Sequence, residues 1–377
     1  MKIKFNFLIM PIILLFILFG INSTTIKTAG KPEADSLSAI RLAFAGDIMC
    51  HTPQMDYAKV GRDSFDFKPV FREVKNFLSI PDFTFGNLET VIIGNEKGFS
   101  GYPLFSSPEE LLSALKDTGF DLLFTSNNHS IDKGVNGVLK TLENLRAENL
   151  LSTGTFDSQR DRDSIRIIDI KGIKLGILSY TYGLNGNYLP EDSKYIVNVI
   201  DTNLIKSDIA KIKERDYDAI IVYYHFGDEY SRKPSSFQKE IAAKSFEWGA
   251  DIIIASHPHV IQPIEFFEKK NGKLKKGLIA YSIGNFISNQ RRRYTDSGVI
   301  LNLDLMKNTK KDSLWINDVS IIPTWVYKGR TEKENEFVIL PSDTAMFGKL
   351  PEYLTPADKQ KMIQSFNDTK SMFKISR

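Results

Sequence analysis

Five histidines, His51, His129, His225, His257 and His259, are the whole imidazole complement of this 377-residue chain. Four of them directly follow apolar runs that read as buried β-strands. Neutral imidazole is the commonest protein ligand for zinc, iron and manganese, and loops at the carboxyl ends of parallel strands are where open α/β sheets gather their chemistry. One such histidine alone reads as a satisfied surface or core residue. Five in polar loops at corresponding positions read as a metal site.

The residues around them supply the rest of a donor set. Gly46-Asp47-Ile48-Met49 places a carboxylate immediately after a hydrophobic strand, and Gly86-Asn87-Leu88-Glu89 ends another strand in an amide and an acid. Asn127-Asn128-His129 follows a third strand, with Asp132 three residues on, where it could orient the imidazole; turn formation is the competing reading of the asparagines. Ser256-His257-Pro258-His259 is the most specific piece. Proline restricts the preceding residue to an extended conformation, and residues two apart on an extended chain project the same way, so both rings are expected to face one cluster. Oxygen, amide and imidazole donors without thiolate point to Mn, Fe or Zn rather than calcium or an iron–sulfur cluster, and they suffice for two ions. Cys50 is the single cysteine, which excludes an intramolecular disulfide, and it is expected to be a packed loop residue rather than a ligand or nucleophile.

The elements that must position these residues alternate. Strands are expected at 41–46, 82–86, 120–126, 218–224 and 251–256, from their apolar runs. Ser107-Pro108-Glu109-Glu110 reads as an N-cap, a first-turn proline and a carboxylate opening a helix to Asp117. Apolar spacing predicts a helix over 135–148. A hairpin is expected around Lys171-Gly172, joining 166–170 to 173–180, and a turn at Asn271-Gly272. Strands return at 278–283, 299–305, 315–322 and 337–340, and Thr355 to Asp358 reads as the start of a final helix. Crossovers first and strands later imply two sheets in one layered α/β domain. The division expected is 1–37, 38–330 and 331–377, the last packing on the core.

Residues Lys2 and Lys4 precede an apolar run from Phe7 to Ile21, followed by polar sequence from Asn22. This reads as an export element, a signal peptide or an uncleaved anchor, with the anchor preferred because no clean small-x-small site follows. Positive charge on its amino side puts the rest of the chain outside the cytoplasmic membrane. Composition is ordinary for a globular protein, with 42% hydrophobic and 25% charged residues, and the net charge of +3 does not make the basic field of a nucleic-acid binder.

In order and kind, the motifs resemble the calcineurin-like metallophosphoesterases, and more closely the capsule-synthesis CapA (poly-γ-glutamate, PgsA-like) proteins. The resemblance covers roughly residues 39–328 and includes Asn-Asn-His-Ser-Ile-Asp-Lys-Gly (127–134), His-Phe-Gly-Asp-Glu-Tyr (225–230), His-Pro-His-Val-Ile-Gln-Pro-Ile-Glu (257–265) and Ser-Ile-Gly-Asn-Phe (282–286). It implies an α/β/β/α sandwich of metallophosphatase type. By position, Asp47 and His259 resemble ligands of one divalent ion, and Asn128, His225 and His257 those of a second. Glu89 takes the place of the usual bridging aspartate, and His129, with Asp132 beside it, matches the histidine that protonates a leaving group or steadies the transition state. Two departures stand out. Met49 occupies a position where the larger superfamily carries histidine, with His51 out of step as a substitute, and Glu89 is one methylene longer than aspartate.

For substrate, Asn87, Glu229, Arg291 and Arg292 are the candidates. The Arg291-Arg292-Arg293 triplet is expected either to attract a polyanion or to be a solvated basic turn, and the 98–103 loop to be a binding lip or a plain connection. The resemblance implies an exported, membrane-associated, metal-dependent hydrolase-like protein. It would act in synthesis, transport or trimming of an anionic envelope polymer such as poly-γ-glutamate, in contact with a membrane synthase. The alternative is a non-catalytic accessory subunit that holds the polymer or the synthase.

Overall fold

Runs of Ile, Val, Leu and Phe long enough to be buried on both faces build two sheets, and their order in the chain divides them. The first strands are β1 (Lys2–Ile3), β2 (Leu37–Ile48), β3 (Phe83–Leu88), β4 (Leu122–Phe124) and β5 (Leu151–Thr153). Next come β6 (Arg166–Ile170), β7 (Ile173–Thr181), β8 (Ala219–His225), β9 (Ile252–Ser256), β10 (Ile264–Glu268) and β11 (Lys276–Ala280). The last are β12 (Asn285–Ile287), β13 (Ser297–Asn308), β14 (Ser313–Arg330) and β15 (Asn335–Pro341). The outer groups form one sheet, ordered β1-β14-β13-β2-β3-β4-β5, with β12 beside β2 and β15 beside β14; the middle group forms the other, ordered β10-β11-β9-β8-β7-β6. The computed structural model describes residues 2–3, 37–269, 272–332 and 334–373, so the apolar run Phe7–Ile21 and the turn residue Asn271 lie outside the described residues.

Strands β2 to β5 are mutually parallel, as are β7, β8, β9 and β11. A parallel ladder aligns the carboxyl ends of its strands, so the loops after β2, β3, β4, β8 and β9 gather at one edge of the two sheets. Between the sheets lies a core that includes Leu42, Phe44, Phe85 and Phe124 from the first and Ile177, Ile221, Tyr223 and Ile254 from the second. Phe44, Phe85, Phe124 and Tyr223 stack in a row, with successive centroids 4.7, 5.7 and 4.2 Å apart, and so bridge the sheets. Burial of each such side chain stabilises the fold by about 1.5–3 kcal/mol. The outer face of the first sheet packs on the helices Thr52–Ala58, Lys68–Phe71 and Glu110–Thr118. That of the second packs on Thr202–Lys213 and Ser236–Trp248, which completes four layers, α/β/β/α.

Most expected elements form, with shifted ends. The hairpin turns through Lys171 (φ 51°) and Gly172 (φ 85°), the left-handed pair that matches strand twist. Thr355 caps the final helix, Pro356–Met372, in a reciprocal box with Asp358. Ser107 does not act as a cap. The helix begins at Glu110 with Glu109 at its cap position, and the Ser107 hydroxyl instead lies 2.7 Å from that of Thr90, inside the protein. Strand β15 extends the first sheet, and the final helix lies against β14, so this tail is continuous with the layered core. Among the described residues no helix is long and apolar enough to cross a membrane.

Candidate metal centre

Asp47 sits near the end of β2, where Gly46 lets the strand run against the Gly284 carbonyl: a Cβ at residue 46 would collide with it. The Asp47 amide donates to that carbonyl at 3.1 Å, which brings Asn285 to the same point. Glu89 follows β3, Asn128 and His129 follow β4, His225 is the last residue of β8, and His257 and His259 follow β9. All are at most 3% exposed, so the histidines lie in buried strand ends and inward-folded turns rather than in solvated loops.

Their donor atoms converge. Asp47, Glu89 and His259 form one group, Glu89, His225 and His257 a second, and Glu229, His257 and His259 a third; within each, the ligand atoms lie within 4.8 Å of one another. Glu89 is common to the first two groups. Its Oε1 is 3.5 Å from His225 Nε2 and 4.0 Å from His259 Nε2. The Oδ1 atom of Asn128 is 2.8 Å from His225 Nε2, close to the ~3 Å that separates two adjacent donors held on one ion at ~2.1 Å.

Polar atoms without partners test whether this set fits a divalent cation. Oε1 of Glu89 and Nδ1 of His257 are buried and have no hydrogen-bond partner. A buried lone carboxylate oxygen carries a desolvation penalty of about 1–3 kcal/mol or more, and a cation would remove it. Charge in the centre points the same way. Burial would lower the His259 pKa, but Glu89 and Asp47 raise it to about 9, so a proton is held where carboxylates need positive charge. Burial opposes ionisation of Asp47, yet the His259 hydrogen bond, the His225 and His259 charges and the Asn87 amide hold it below the usual carboxylate range. His257 is pushed well below the usual imidazole value by burial and by the neighbouring imidazoles, which leaves it the neutral base that metals bind.

The His257-Pro258-His259 turn is not the extended segment expected from proline. His257 has φ 105° and His259 φ 56°, both in the left-handed region. The two rings nevertheless face one cluster, 5.9 Å apart between centroids. Such backbone carries about 1–3 kcal/mol of strain at a non-glycine residue and persists only where the surroundings over-determine it. Here the His257 amide donates to Asp47 Oδ2 at 3.3 Å, and His259 Nδ1 lies 3.1 Å from the same oxygen and 3.0 Å from Asn285 Oδ1.

His129 stands to one side. Its Nδ1 is 2.8 Å from Asp132 Oδ2, which also accepts the Phe105 amide at 2.7 Å, and the Phe105 ring packs edge-on at 4.7 Å. Nε2 is left toward Asn185, 3.5 Å away, whose own side-chain oxygen accepts from Asn128. From the 98–103 loop, the Tyr102 ring lies 6.4 Å from that of Phe105.

The four residues expected to touch substrate separate. Asn87 is fully buried: its Nδ2 donates to Asp47 Oδ1 at 2.8 Å and approaches His225 Nδ1 at 3.3 Å, while its Oδ1 accepts from Asn127. Its recorded bonds tie it to Asp47 and His225 in the buried centre. The arginine triplet does not act together, because Arg291 donates to the Val326 carbonyl at 2.7 Å and Arg293 pairs with Asp368 at 2.7 Å. Arg292 alone lies at the rim, 5.7 Å above the Tyr230 ring, which is 6.2 Å from that of His259. Glu229 is exposed, yet it belongs to the third ligand group.

Residues 41–290 match the family model of the bacterial capsule synthesis protein PGA_cap. The chain belongs to this capsule synthesis family. It is 28% identical over 278 residues to the capsule biosynthesis protein CapA of Bacillus anthracis, covering 71% of this chain and 64% of that one. The PGA biosynthesis protein CapA of Bacillus subtilis is 29% identical over 290 residues, covering 74% of this chain and 73% of that one. The chain thus spans a little under two thirds of the first relative's length. Among solved structures, the NAD nucleotidase NadN of Haemophilus influenzae superposes with a TM-score of 0.49 at 13% identity, over 89% of this chain and 57% of that one, a likeness too loose to bear on chemistry.

Within this PGA_cap chain, Met49 is buried with its amide on the Ile287 carbonyl, and none of the ligand groups among the described residues includes His51. His51 turns toward Gln54 instead, and burial first, then the His259 and His129 charges, lower it to about 4. Cys50 is packed inside, where burial pushes its thiol up to about 12, so it is no nucleophile. Tyr182, whose ring lies 4.4 Å from that of His257, and Asn185 carried no signal beyond the Asn185-Gly186 turn pair. The role of Asn285 was hidden in the Ser-Ile-Gly-Asn-Phe motif.

Proposed function

We propose that this capsule-family chain is a metal-dependent hydrolase of anionic envelope polymer, exported and held at the outer side of the cytoplasmic membrane by its amino-terminal apolar run. The observation that carries the reading is the unpartnered, fully buried Glu89 oxygen facing His225 on one side and His259 on the other. Asp47 and His259 would hold one ion, and Asn128, His225 and His257 a second, with Glu89 between them. The donor set suits Mn, Fe or Zn. Such ions, when bound, polarise a phosphoryl or carbonyl oxygen and stabilise charge that develops on it.

The chain's own residues supply the remaining steps. Asp132 fixes the His129 ring through Nδ1, so Nε2 is the atom that gives a proton to a leaving group and recovers it afterwards. Asn87 and Asn285 set the orientation of Asp47 and His259 and keep the donor atoms from relaxing apart. Arg292 and Tyr230 at the rim suit a carboxylate or phosphate on the substrate. Poly-γ-glutamate is the substrate class proposed, consistent with the PGA in the name of the Bacillus subtilis relative, with a membrane synthase as partner.

A hydrolysis screen tests this. The protein loaded with Mn, Fe or Zn is offered phosphoesters and γ-glutamyl peptides, with and without chelator. Chelator-sensitive cleavage of either class is the expected result; metal-loaded protein inert toward both would replace the hydrolase with a polymer-holding accessory subunit.

A further inference from the structure

Glu229 is out of character for the mouth of a site that receives a polyanion. Its carboxylate is exposed on the loop after β8, and it would repel the carboxylates or phosphates of such a substrate. Yet the loop does not leave it free to swing aside. The Tyr230 amide donates to the Pro258 carbonyl at 2.8 Å, and Tyr230 takes a left-handed φ of 65°, so the loop that carries Glu229 is tied to the turn that carries His257 and His259. The tether holds the Glu229 ligand atom within 4.8 Å of those of both histidines. On the ion assignment above, these histidines belong to different ions.

We infer that Glu229 is a further ligand of the same centre, closing it from the solvent side across His257 and His259 as Glu89 joins it from the buried side. The inference rests on the two-ion reading of the proposed function and adds to it. Three observations converge. Glu89 pairs with one histidine of each ion from within, and Glu229 reaches a histidine of each from without. The His257 Nδ1 atom is buried and unpartnered, so the ring is not committed to any protein group through that atom. Imidazole and carboxylate donors together suit Fe, Mn and Zn, rather than the oxygen cage of calcium or magnesium. The charge problem also resolves: with a cation between them, Glu229 and an anionic substrate share a positive partner instead of facing each other.

An exposed ligand on a tethered loop predicts two unequal affinities. Both ions keep buried donors when Glu229 is removed, Asp47, Glu89 and His259 for one and Asn128, His225, His257 and Glu89 for the other, so the exposed ligand matters most to whichever ion binds more weakly. The test titrates full-length protein with Mn and, separately, Zn by calorimetry, with metal counted after gel filtration, for the wild type, Glu229→Gln and Asp228→Asn. Asp228 is the exposed neighbouring acid outside all three ligand groups. The expected result is a loss of at least tenfold in affinity for the weaker ion in Glu229→Gln, with the tighter ion and the circular dichroism spectrum unchanged and Asp228→Asn equal to wild type. Equal binding by the wild type and Glu229→Gln would overturn the assignment of Glu229 alone. An equal loss in Asp228→Asn would overturn it too, because loop charge rather than ligation would then be responsible. Wild-type protein that binds neither metal would remove the two-ion reading together with this one.

Discussion

His129 Nδ1 lies 2.8 Å from Oδ2 of Asp132, three residues further along the same turn, and both side chains are buried. Because the Phe105 amide also donates to that oxygen, the carboxylate cannot rotate away, and the imidazole is held with Nε2 facing Asn185. Proton transfer through a positioned histidine contributes about 10²–10⁴-fold.

His129→Asn is therefore expected to lose turnover by about that factor while it keeps its metal and its melting temperature. Steady-state rates beside metal analysis check this. A variant that loses metal as well as activity would make His129 a ligand rather than an acid.

His257 adopts φ 105° without being glycine, and its Nδ1 has no partner. His257→Gly removes both burdens at the expense of chain entropy, so the metal-free variant is expected to gain about 1 kcal/mol in urea unfolding while metal affinity falls. Destabilisation of the metal-free form would show that the turn is not strained.

Asp218 tests acid stability. Burial alone would raise its pKa, but the Lys174 amide and the ammonium groups of Lys307 and Lys273, 2.8 and 2.9 Å away, hold it below the usual carboxylate range. A carboxylate depressed in the folded state contributes stability above its unfolded pKa, and that contribution is lost as pH falls through the folded value. Asp218→Asn is expected to be about 1.5–3 kcal/mol less stable at pH 7, with the gap to wild type closing below about pH 4. A gap independent of pH would mean that packing, not charge, accounts for the loss.

Arg162 and Asp208 form a buried pair, with Nη1 to Oδ1 at 3.0 Å, and the Tyr180 hydroxyl also donates to Asp208. Asp208→Ala leaves the buried guanidinium with only the half-exposed Asp163 carboxylate, 3.5 Å away, at a cost of about 3 kcal/mol in chemical denaturation. A cost below about 1 kcal/mol would show that Arg162 reaches solvent in the variant.

What was legible in the sequence follows from one physical fact. Parallel strands align their ends within each sheet, and the two sheets pack with those ends together, so polar residues at or just after the ends of apolar runs, Asp47, Glu89, Asn128, His225, His257 and His259, gather at one edge. What was not legible depends on backbone and rotamer choices made by tertiary contacts. Proline at 258 predicts an extended His257, but the Asp47 carboxylate and the Asn285 amide oxygen fix the turn in left-handed conformations instead. Three adjacent arginines look alike in sequence, and only the positions of Val326 and Asp368 decide that Arg292 alone remains at the rim. Asn87 read as a candidate substrate contact because nothing local reveals that Asn127 and His225 enclose it.

On the two-ion proposal, the buried donors around Glu89 hold divalent metal. Elemental analysis of purified protein, incubated with Mn, Fe and Zn and then desalted, tests it most directly when Asp47→Asn is carried alongside. Two ions bound to the wild type, with clear loss in a folded Asp47→Asn variant, is the expected outcome. Wild-type protein that emerges free of all three metals would contradict it.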